Sequence, residues 1–424
     1  MGFASAWLNE KALFPEFIKE TPDNHTGIIV VVPAFDEPGI TSLLNSLNSC
    51  DEPDCKVEVL IVVNAPADAS AESLNNNSEC IRNIEQWKDG NNDRFFRIYY
   101  FNTGKAPVNG WGVGLARKTG MDEALRRFNA LEKPEGVIVC LDADCTVNVN
   151  YFTALCNELL NKKVRKACSV YFEHPLSGSE FPDRIYNYIT QYELHLRYFV
   201  QGLRYSGFPY AFHTVGSALA VRAFQYVKAG GMNRRQAGED FYFIQKLAPL
   251  GGYFALNSTS VFPSPRESYR VPFGTGVMMT KLMDDSGNML LTFNTGAFSD
   301  LKAFFDIARK MYAAGQEEVL DSYNILPPGL RTFMSKQEWT SKIDEIQRNT
   351  SSGEAFMKRF FIWFNMFRIV KYLNNVHATS YSKISVEEAA CAMLVLSGIK
   401  NLSKDIYKLL MYYRLMERGS AAES

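Results

Sequence analysis

The stretch that decides the fold is residues 139–146, VCLDADCT, where an apolar strand pattern runs directly into two carboxylates. Asp142 and Asp144 stand two positions apart at the end of that strand. A desolvated carboxylate needs a partner, and a hard divalent cation that binds carboxylate and phosphate oxygens is the simplest one. We therefore predict Mg²⁺ or Mn²⁺ beside a diphosphate at this position. The alternative interpretation is a strand-end turn in which both aspartates cap a following helix.

Strand and helix patterns alternate around this stretch. Apolar strand patterns occupy residues 28–32, 57–63, 96–101 and 136–141. Amphipathic helical patterns lie between them at residues 39–48, 70–87 and 115–131. This alternation predicts an α/β fold with a largely parallel sheet, and ligands of such sheets bind beyond the carboxyl ends of the strands. The segments that follow the strands should therefore converge.

The chain is long enough for more than one domain. It has 424 residues, of which 46% are hydrophobic and 21% charged, as in globular proteins with a large core. Helical patterns dominate after the sheet region. We predict an N-terminal helical segment (residues 1–25), an α/β domain (26–275) and a helical C-terminal region (276–424).

Composition excludes several classes of protein. Lys+Arg 45 against Asp+Glu 46 leaves no basic block for nucleic acid. The eight cysteines form no C-x-x-C pair, so we predict no zinc site and reduced thiols in a cytoplasm. No signal peptide pattern and no long apolar run are visible, so contact with a membrane would be peripheral, at its inner face.

A second acidic pair, Glu239 and Asp240, opens an apolar helical pattern after Gly238. First-turn acids can simply complement the helix dipole. The alternative is that Asp240 is a general base that takes a proton from an acceptor hydroxyl, because the dipole favours the ionised form that a base requires.

The order of these motifs along the chain resembles glycosyltransferase family 2, whose fold is of the GT-A type. The resemblance covers roughly residues 26–270 and rests on five short matches. These are PAFDE at residues 33–37, Asn64, GLAR at 114–117, DAD at 142–144 and GED at 238–240.

The resemblance implies an inverting transfer of a sugar from a nucleotide-diphosphate donor to a saccharide, lipid-linked or small hydroxyl acceptor. It implies that the base and ribose are held by Pro33, Ala34, Glu37 and Asn64. Arg117 would lie near the phosphates or sugar, and Asp142 and Asp144 would engage the metal and the donor. Asp240, with Glu239 beside it, would be the catalytic base.

The chain departs from the family pattern at several positions. Asp36 stands where an Asn is usual, and Asn64 stands where an acidic residue is common. The later strand region, residues 254–265, lacks the metal-ligating His of many relatives. His213 is a candidate substitute, and the alternative is a hydrogen-bonded packing residue. The signature of processive polysaccharide synthases is also missing.

Two arginines, Arg266 and Arg270, lie between prolines in the loop of residues 265–276. A guanidinium binds phosphate oxygens in a bidentate way, so this loop is a candidate for contact with the donor diphosphate. The alternative is a surface linker with solvated charges.

The aromatic segment at residues 354–377 carries four interleaved cations. We expect a helix that packs on the catalytic domain or at a homodimer contact. An interfacial helix touching anionic lipid is the alternative.

Two other functions remain open at this point. A nucleotidyltransferase shares the strand-and-metal arrangement, although residues 33–38 are acidic rather than basic. A catalytically inert nucleotide-sugar-binding protein is the non-enzymatic alternative. The glycines at 110–114 do not match G-x-G-x-x-G and follow the third strand, so a dinucleotide site is not predicted.

Overall fold

The computed structural model describes residues 2–106, 111–235, 238–268, 274–284, 289–400 and 402–419. The chain divides into two compact units. The first comprises Met1–Ile189 and Thr214–Asp284, and the second comprises Thr190–His213 and Asp285–Ser424.

The first unit holds a mixed sheet and its flanking helices. Its strands are β1 (Thr26–Ala34), β2 (Lys56–Pro66), β3 (Phe96–Ala106), β4 (Val137–Cys140), β5 (Thr146–Val147), β6 (Ala167–Phe172), β7 (Leu219–Arg222) and β8 (Tyr253–Phe262). Its helices are α1 (Ser5–Lys11), α2 (Thr41–Asn48), α3 (Ala71–Gly90), α4 (Val113–Ala130), α5 (Tyr151–Leu155), α7 (Ala223–Lys228), α8 (Glu239–Leu247) and α9 (Thr275–Asp284). Helix α6 (Asp183–Ser206) begins in this unit and ends in the second.

The sheet confirms the predicted α/β fold class. Within the described residues its order is β3-β2-β1-β4-β7-β6-β8-β5. Strands β3, β2, β1 and β4 run parallel, while β7 is antiparallel to both of its neighbours. Residues 28–32 of β1 and all of β4 are inaccessible to solvent, as expected for parallel strands covered on both faces. The carboxyl ends of β1, β2 and β4 therefore lie at one edge of the sheet.

The second unit is helical, as predicted for the C-terminal region. After the small strand β9 (Leu291–Thr292), which pairs with β10 (Ile384–Ser385), its helices form most of the structure. They are α10 (Thr295–Lys310), α11 (Gln316–Ser322), α12 (Pro328–Phe333), α13 (Lys336–Arg348), α14 (Gly353–Trp363), α15 (Met366–Thr379), α16 (Val386–Leu396) and α17 (Ile406–Arg418). Throughout the described part of the chain, no helix is both long and apolar enough to cross a bilayer.

A buried charge network joins α6 and α17 within the second unit. Glu193 accepts from Nε of Arg197 at 2.9 Å and from Nε and Nη2 of Arg414 at 2.7 and 2.8 Å. Glu417 pairs with Arg197, and its Oε1 lies 2.8 Å from Nε2 of His213. Although burial opposes ionisation, His213 and Arg197 lower the pKa of Glu417 to about 2.

Several predicted element boundaries differ from the structure. The predicted N-terminal helical segment (residues 1–25) contains one short helix, α1, which ends at Lys11, a few residues before Pro15. The aromatic segment forms two helices, because the side chain of Asn365 accepts the N–H groups of Phe367 and Arg368 and starts α15 anew. Strand β6 was not predicted. Its six buried residues, ACSVYF, show no alternating pattern, and Ser169 interrupts the continuous apolar run that marks a strand buried on both faces.

Candidate active site

The loop that leaves β1 is held by polar side chains of α3. Asp36 has a φ of 59°, a left-handed conformation that Asp and Asn tolerate better than most residues. Its N–H donates to Oδ1 of Asn77 at 2.9 Å, and its Oδ1 accepts from Nδ2 of Asn76 at 2.6 Å. Nδ2 of Asn77 also donates to the carbonyl of Asn64 at 2.9 Å. One buried asparagine thus fixes the ends of both β1 and β2.

Arg117, in the second turn of α4, is the centre of the site. Its side chain is 5% exposed and pairs with Asp142, at the exit of β4, and with Glu239, at the start of α8. Burial opposes the positive charge, but Asp142, Glu239 and Asp240 together raise the pKa of Arg117 well above its usual value. The guanidinium therefore stays charged and joins two acidic motifs that are far apart in sequence.

Two glycines make room for this arginine. A Cβ on Gly216 would lie 2.4 Å from Nη1 and 2.6 Å from Cζ of Arg117. A Cβ on Gly114 would lie 2.2 Å from the carbonyl oxygen of Arg235 and 3.1 Å from Cβ and Cγ of Glu239. Both positions require a residue without a side chain, because the polypeptide passes directly against the Arg117–Glu239 pair.

Asp240 has a strongly perturbed carboxyl group. Burial, followed by the neighbouring charge of Glu239, raises its pKa to about 7, although Arg117 acts in the opposite direction. Asp240 is half-buried, whereas Glu239 is 1% exposed and forms a salt bridge with Arg117. A half-buried carboxyl that titrates near neutral pH can exchange a proton with a bound molecule.

Arg266 forms a second cationic centre. Its Nε donates to Oδ2 of Asp144 at 2.8 Å, and its Nη2 pairs with Glu37 in the loop after β1. Burial opposes its charge, but Asp144 and Glu37 raise the pKa of Arg266. The predicted donor-binding residues Glu37 and Arg266 and the predicted metal ligand Asp144 therefore lie in contact. Arg270 lies outside the described residues.

The carboxylates of Asp142 and Asp144 fit a divalent cation by their chemistry. Their side chains are 36% and 25% exposed, and each already pairs with one guanidinium. Carboxylate oxygens are the ligands that Mg²⁺ and Mn²⁺ prefer. In the described part of the chain no cluster of three or more His, Cys, Asp or Glu could hold a metal ion. Any remaining ligands of a cation at this position would have to come from a bound molecule or water.

Asn64 and the residues at the end of β1 lie beside this group. With its amide oriented to satisfy both ends, Asn64 donates to the carbonyl of Ala34 and accepts from Nε1 of Trp111, each at 3.2 Å. Ala34 is buried, and the preceding Pro33 is half-buried. Trp111 also packs edge-on against Phe35, with a centroid distance of 4.8 Å. Trp111, just before α4, therefore helps to hold the loop after β1 in place.

His213 lies in the second unit, where Glu417 engages its Nε2. Its role as a metal ligand therefore stays a prediction.

Sequence reasoning missed two residues of the site and one pairing. It identified Arg117 and Glu239 separately, but their pairing spans 122 residues and leaves no local pattern. It did not identify Trp111 or Asn77. The run of Asn75, Asn76 and Asn77 inside a helical pattern was the available clue, because asparagine is a poor helix former that needs another reason to be there.

No protein-family model and no curated protein matches the chain. Similar solved structures include TarS 1–349 from S. aureus in complex with UDP-GlcNAc, with 14% identity, a TM-score of 0.40, and coverage of 76% of this chain and 91% of that one. Another is the mannosyltransferase PcManGT from Pyrobaculum calidifontis in complex with GDP-Man and Mn²⁺, with 13% identity, a TM-score of 0.36, and coverage of 99% and 92%.

A further similar structure is glucosyl-3-phosphoglycerate synthase from Mycobacterium tuberculosis in complex with Mn²⁺, UDP and phosphoglyceric acid. Identity is 16%, the TM-score is 0.33, and the match covers 64% of this chain and 84% of that one. At these scores, residue roles have to rest on the contacts within this chain.

Proposed function

We propose that this protein is an inverting glycosyltransferase that moves a sugar from a nucleotide-diphosphate donor to a hydroxyl acceptor, assisted by Mg²⁺ or Mn²⁺. The observation that carries the proposal is the pairing of buried Arg117 with both Asp142 and Glu239. This pairing supports a single site in which the acidic pair after β4 and the titratable Asp240 act on the same bound molecule.

In the proposed reaction Asp240 is the base. Its carboxylate accepts the proton of the acceptor hydroxyl while that oxygen forms a bond to the anomeric carbon of the donor sugar. The bond from the anomeric carbon to the diphosphate breaks, and its electron pair leaves with the nucleoside diphosphate. A pKa of about 7 suits this role, because general bases work best when their pKa is near the working pH.

The other charged residues of the site have separate roles in the proposal. Glu239 fixes Arg117, and Arg117 orients Asp142. Arg266 holds Asp144 and Glu37, so its guanidinium is in place to bind the phosphate oxygens of a donor that engages Asp144. A cation bound by Asp142 and Asp144 would supply positive charge to the leaving diphosphate.

Product analysis tests the proposal. The full chain is incubated with Mn²⁺ and a panel of nucleotide-sugars, with saccharide, lipid-linked or small hydroxyl acceptors. We expect a nucleoside diphosphate as the released product. Release of inorganic diphosphate would instead indicate nucleotidyl transfer. Donor binding with neither turnover nor slow hydrolysis of the donor would indicate an inert binding protein.

Calorimetry tests the proposed metal ligands independently of turnover. Asp144→Ala should abolish the part of donor affinity that depends on Mn²⁺. Equal donor affinity with and without Mn²⁺ in the unmodified protein would contradict the metal assignment.

A further inference from the structure

Two thiols of the first unit are in direct contact at the amino end of β2, opposite to the edge where the candidate active site lies. Sγ of Cys55 is 3.3 Å from Sγ of Cys156. Cys55 directly precedes β2, and Cys156 directly follows α5. A disulfide bond is about 2.05 Å long, so the sulfurs would need to approach by about 1.2 Å.

The two thiols differ in reactivity. A hydrogen bond with Cys156 lowers the pKa of Cys55, and the charge of Lys133 acts in the same direction. Nζ of Lys133 is fixed nearby by donating to the carbonyl of Thr26 at 3.1 Å. Cys55 is also partly exposed, whereas Cys156 is 5% exposed and its pKa is raised, first by Cys55 and then by burial. Cys55 is therefore the more accessible of the two thiols and the one whose pKa is lowered, and both properties favour it as the attacking thiol.

Other cysteines of the same unit lack this environment. Burial raises the pKa of Cys80, Cys140 and Cys168 to about 12, and none of these side chains is more than 1% exposed. Such thiols are inert because the nucleophile is the thiolate.

We propose that Cys55 and Cys156 form a peroxide-reactive pair that is converted into a disulfide. The Cys55 thiolate attacks one oxygen of a hydroperoxide, the O–O bond breaks, and the other oxygen leaves and takes up a proton. The resulting Cys55 sulfenic acid is attacked by the sulfur of Cys156, and its hydroxyl leaves as water with the Cys156 proton. With hydrogen peroxide, two thiols and one peroxide give one disulfide and two waters.

The bond would connect the start of β2 to the end of α5 across a long stretch of chain, because the two cysteines are 101 positions apart. A crosslink that closes a long loop restricts the unfolded chain and raises the stability of the folded one. The oxidised protein is thus expected to unfold at a higher temperature than the reduced protein.

Peptide mapping tests the proposal in the full chain. Reduced protein is treated with hydrogen peroxide, digested without reductant and analysed by mass spectrometry. The expected product is a crosslinked peptide pair containing Cys55 and Cys156, two hydrogen atoms lighter than the sum of the free peptides, together with a higher unfolding temperature. Recovery of both peptides uncrosslinked, or crosslinks among other cysteines in equal yield, overturns it.

Variants assign the two roles. In Cys156→Ser, Cys55 should accumulate as a sulfenic acid that dimedone traps, and Cys55→Ser should give no dimedone adduct at residue 156. Cys80→Ser, at a buried thiol away from the pair, is the matched control and should keep the crosslink. A Cys156→Ser protein without a dimedone adduct on Cys55 contradicts the assignment of Cys55 as the attacking thiol.

Discussion

Both units of this chain bury arginine–carboxylate networks, but the two networks differ in charge balance. In the second unit, Arg197, Arg204, Arg414 and His213 surround Glu193 and Glu417. In the first unit, Arg117 and Arg266 lie among a larger set of described carboxylates, namely Glu37, Asp142, Asp144, Glu239 and Asp240. The pKa of Glu417 falls to about 2, whereas that of Asp240 rises to about 7.

This difference separates a structural network from a candidate active site. Where cations match or exceed anions, each carboxylate keeps its charge and the network holds helices together. Where a carboxyl is buried and anions are in excess, as at Asp240, burial first and the neighbouring charge of Glu239 second favour the protonated form, and a further cation or a proton donor is needed to complete the site. Buried ion pairs therefore cannot be interpreted by residue type alone.

The largest expected effect concerns Asp240. Asp240→Asn removes the proposed base and should lower kcat by about 10²- to 10⁴-fold, since this is the usual contribution of a general base. Donor affinity, measured by calorimetry, should stay within a few-fold. Unchanged turnover would place the base elsewhere.

Substitution in the α6–α17 network of the second unit should lower the stability of the protein. Arg414→Met leaves Glu193 short of a partner in a buried position, which costs about 3–5 kcal/mol in the free energy of unfolding. Urea denaturation measures the change. The matched control is Arg309→Met, because Arg309 and Asp306 form an exposed pair that contributes roughly 0–1 kcal/mol. Equal losses in both variants would contradict a special role for the α6–α17 network.

The pH dependence should differ between the two networks. Because Asp240 must be ionised to act, its raised pKa predicts that kcat/KM falls about tenfold per pH unit as the pH drops below about 7. Glu417 has a lowered pKa, so its contribution to stability is complete above its ordinary pKa and is lost as the pH falls towards 2. A kcat/KM profile that stays flat between about pH 5 and about pH 8 would contradict the assignment of Asp240.

The smallest expected effect is on metal binding. Arg266 occupies one oxygen of Asp144, so Arg266→Gln should strengthen Mn²⁺ binding in the absence of nucleotide by about tenfold, or about 1.4 kcal/mol. Electron paramagnetic resonance of free Mn²⁺ measures the affinity. Arg235→Gln is the control, because that guanidinium stacks on Tyr242 at 3.5 Å from the ring centroid. Equal gains in both variants would indicate a general field effect and not direct competition.

The sequence predicted those parts of the molecule that rest on local patterns. Continuous apolar runs such as those of β1 and β4 identified the parallel sheet, because strands buried on both faces have no polar positions. The carboxylates directly after β4 could be found because the strand end fixes their place. Pairings such as Arg117 with Glu239 could not be predicted, since a salt bridge between distant segments leaves no periodicity in either one.

Asn77 has a consequence for ligand binding. Because it ties Asp36 to the carbonyl of Asn64, the loops leaving β1 and β2 are ordered before any molecule arrives. Ordering a free loop costs about 1–2 kcal/mol per residue in conformational entropy, and a prearranged loop does not add that cost to association. A ligand that binds at this edge should therefore meet loops that are already ordered. Asn77→Asp removes the amide nitrogen that donates to the carbonyl of Asn64, and this single loss should make the two loops less ordered.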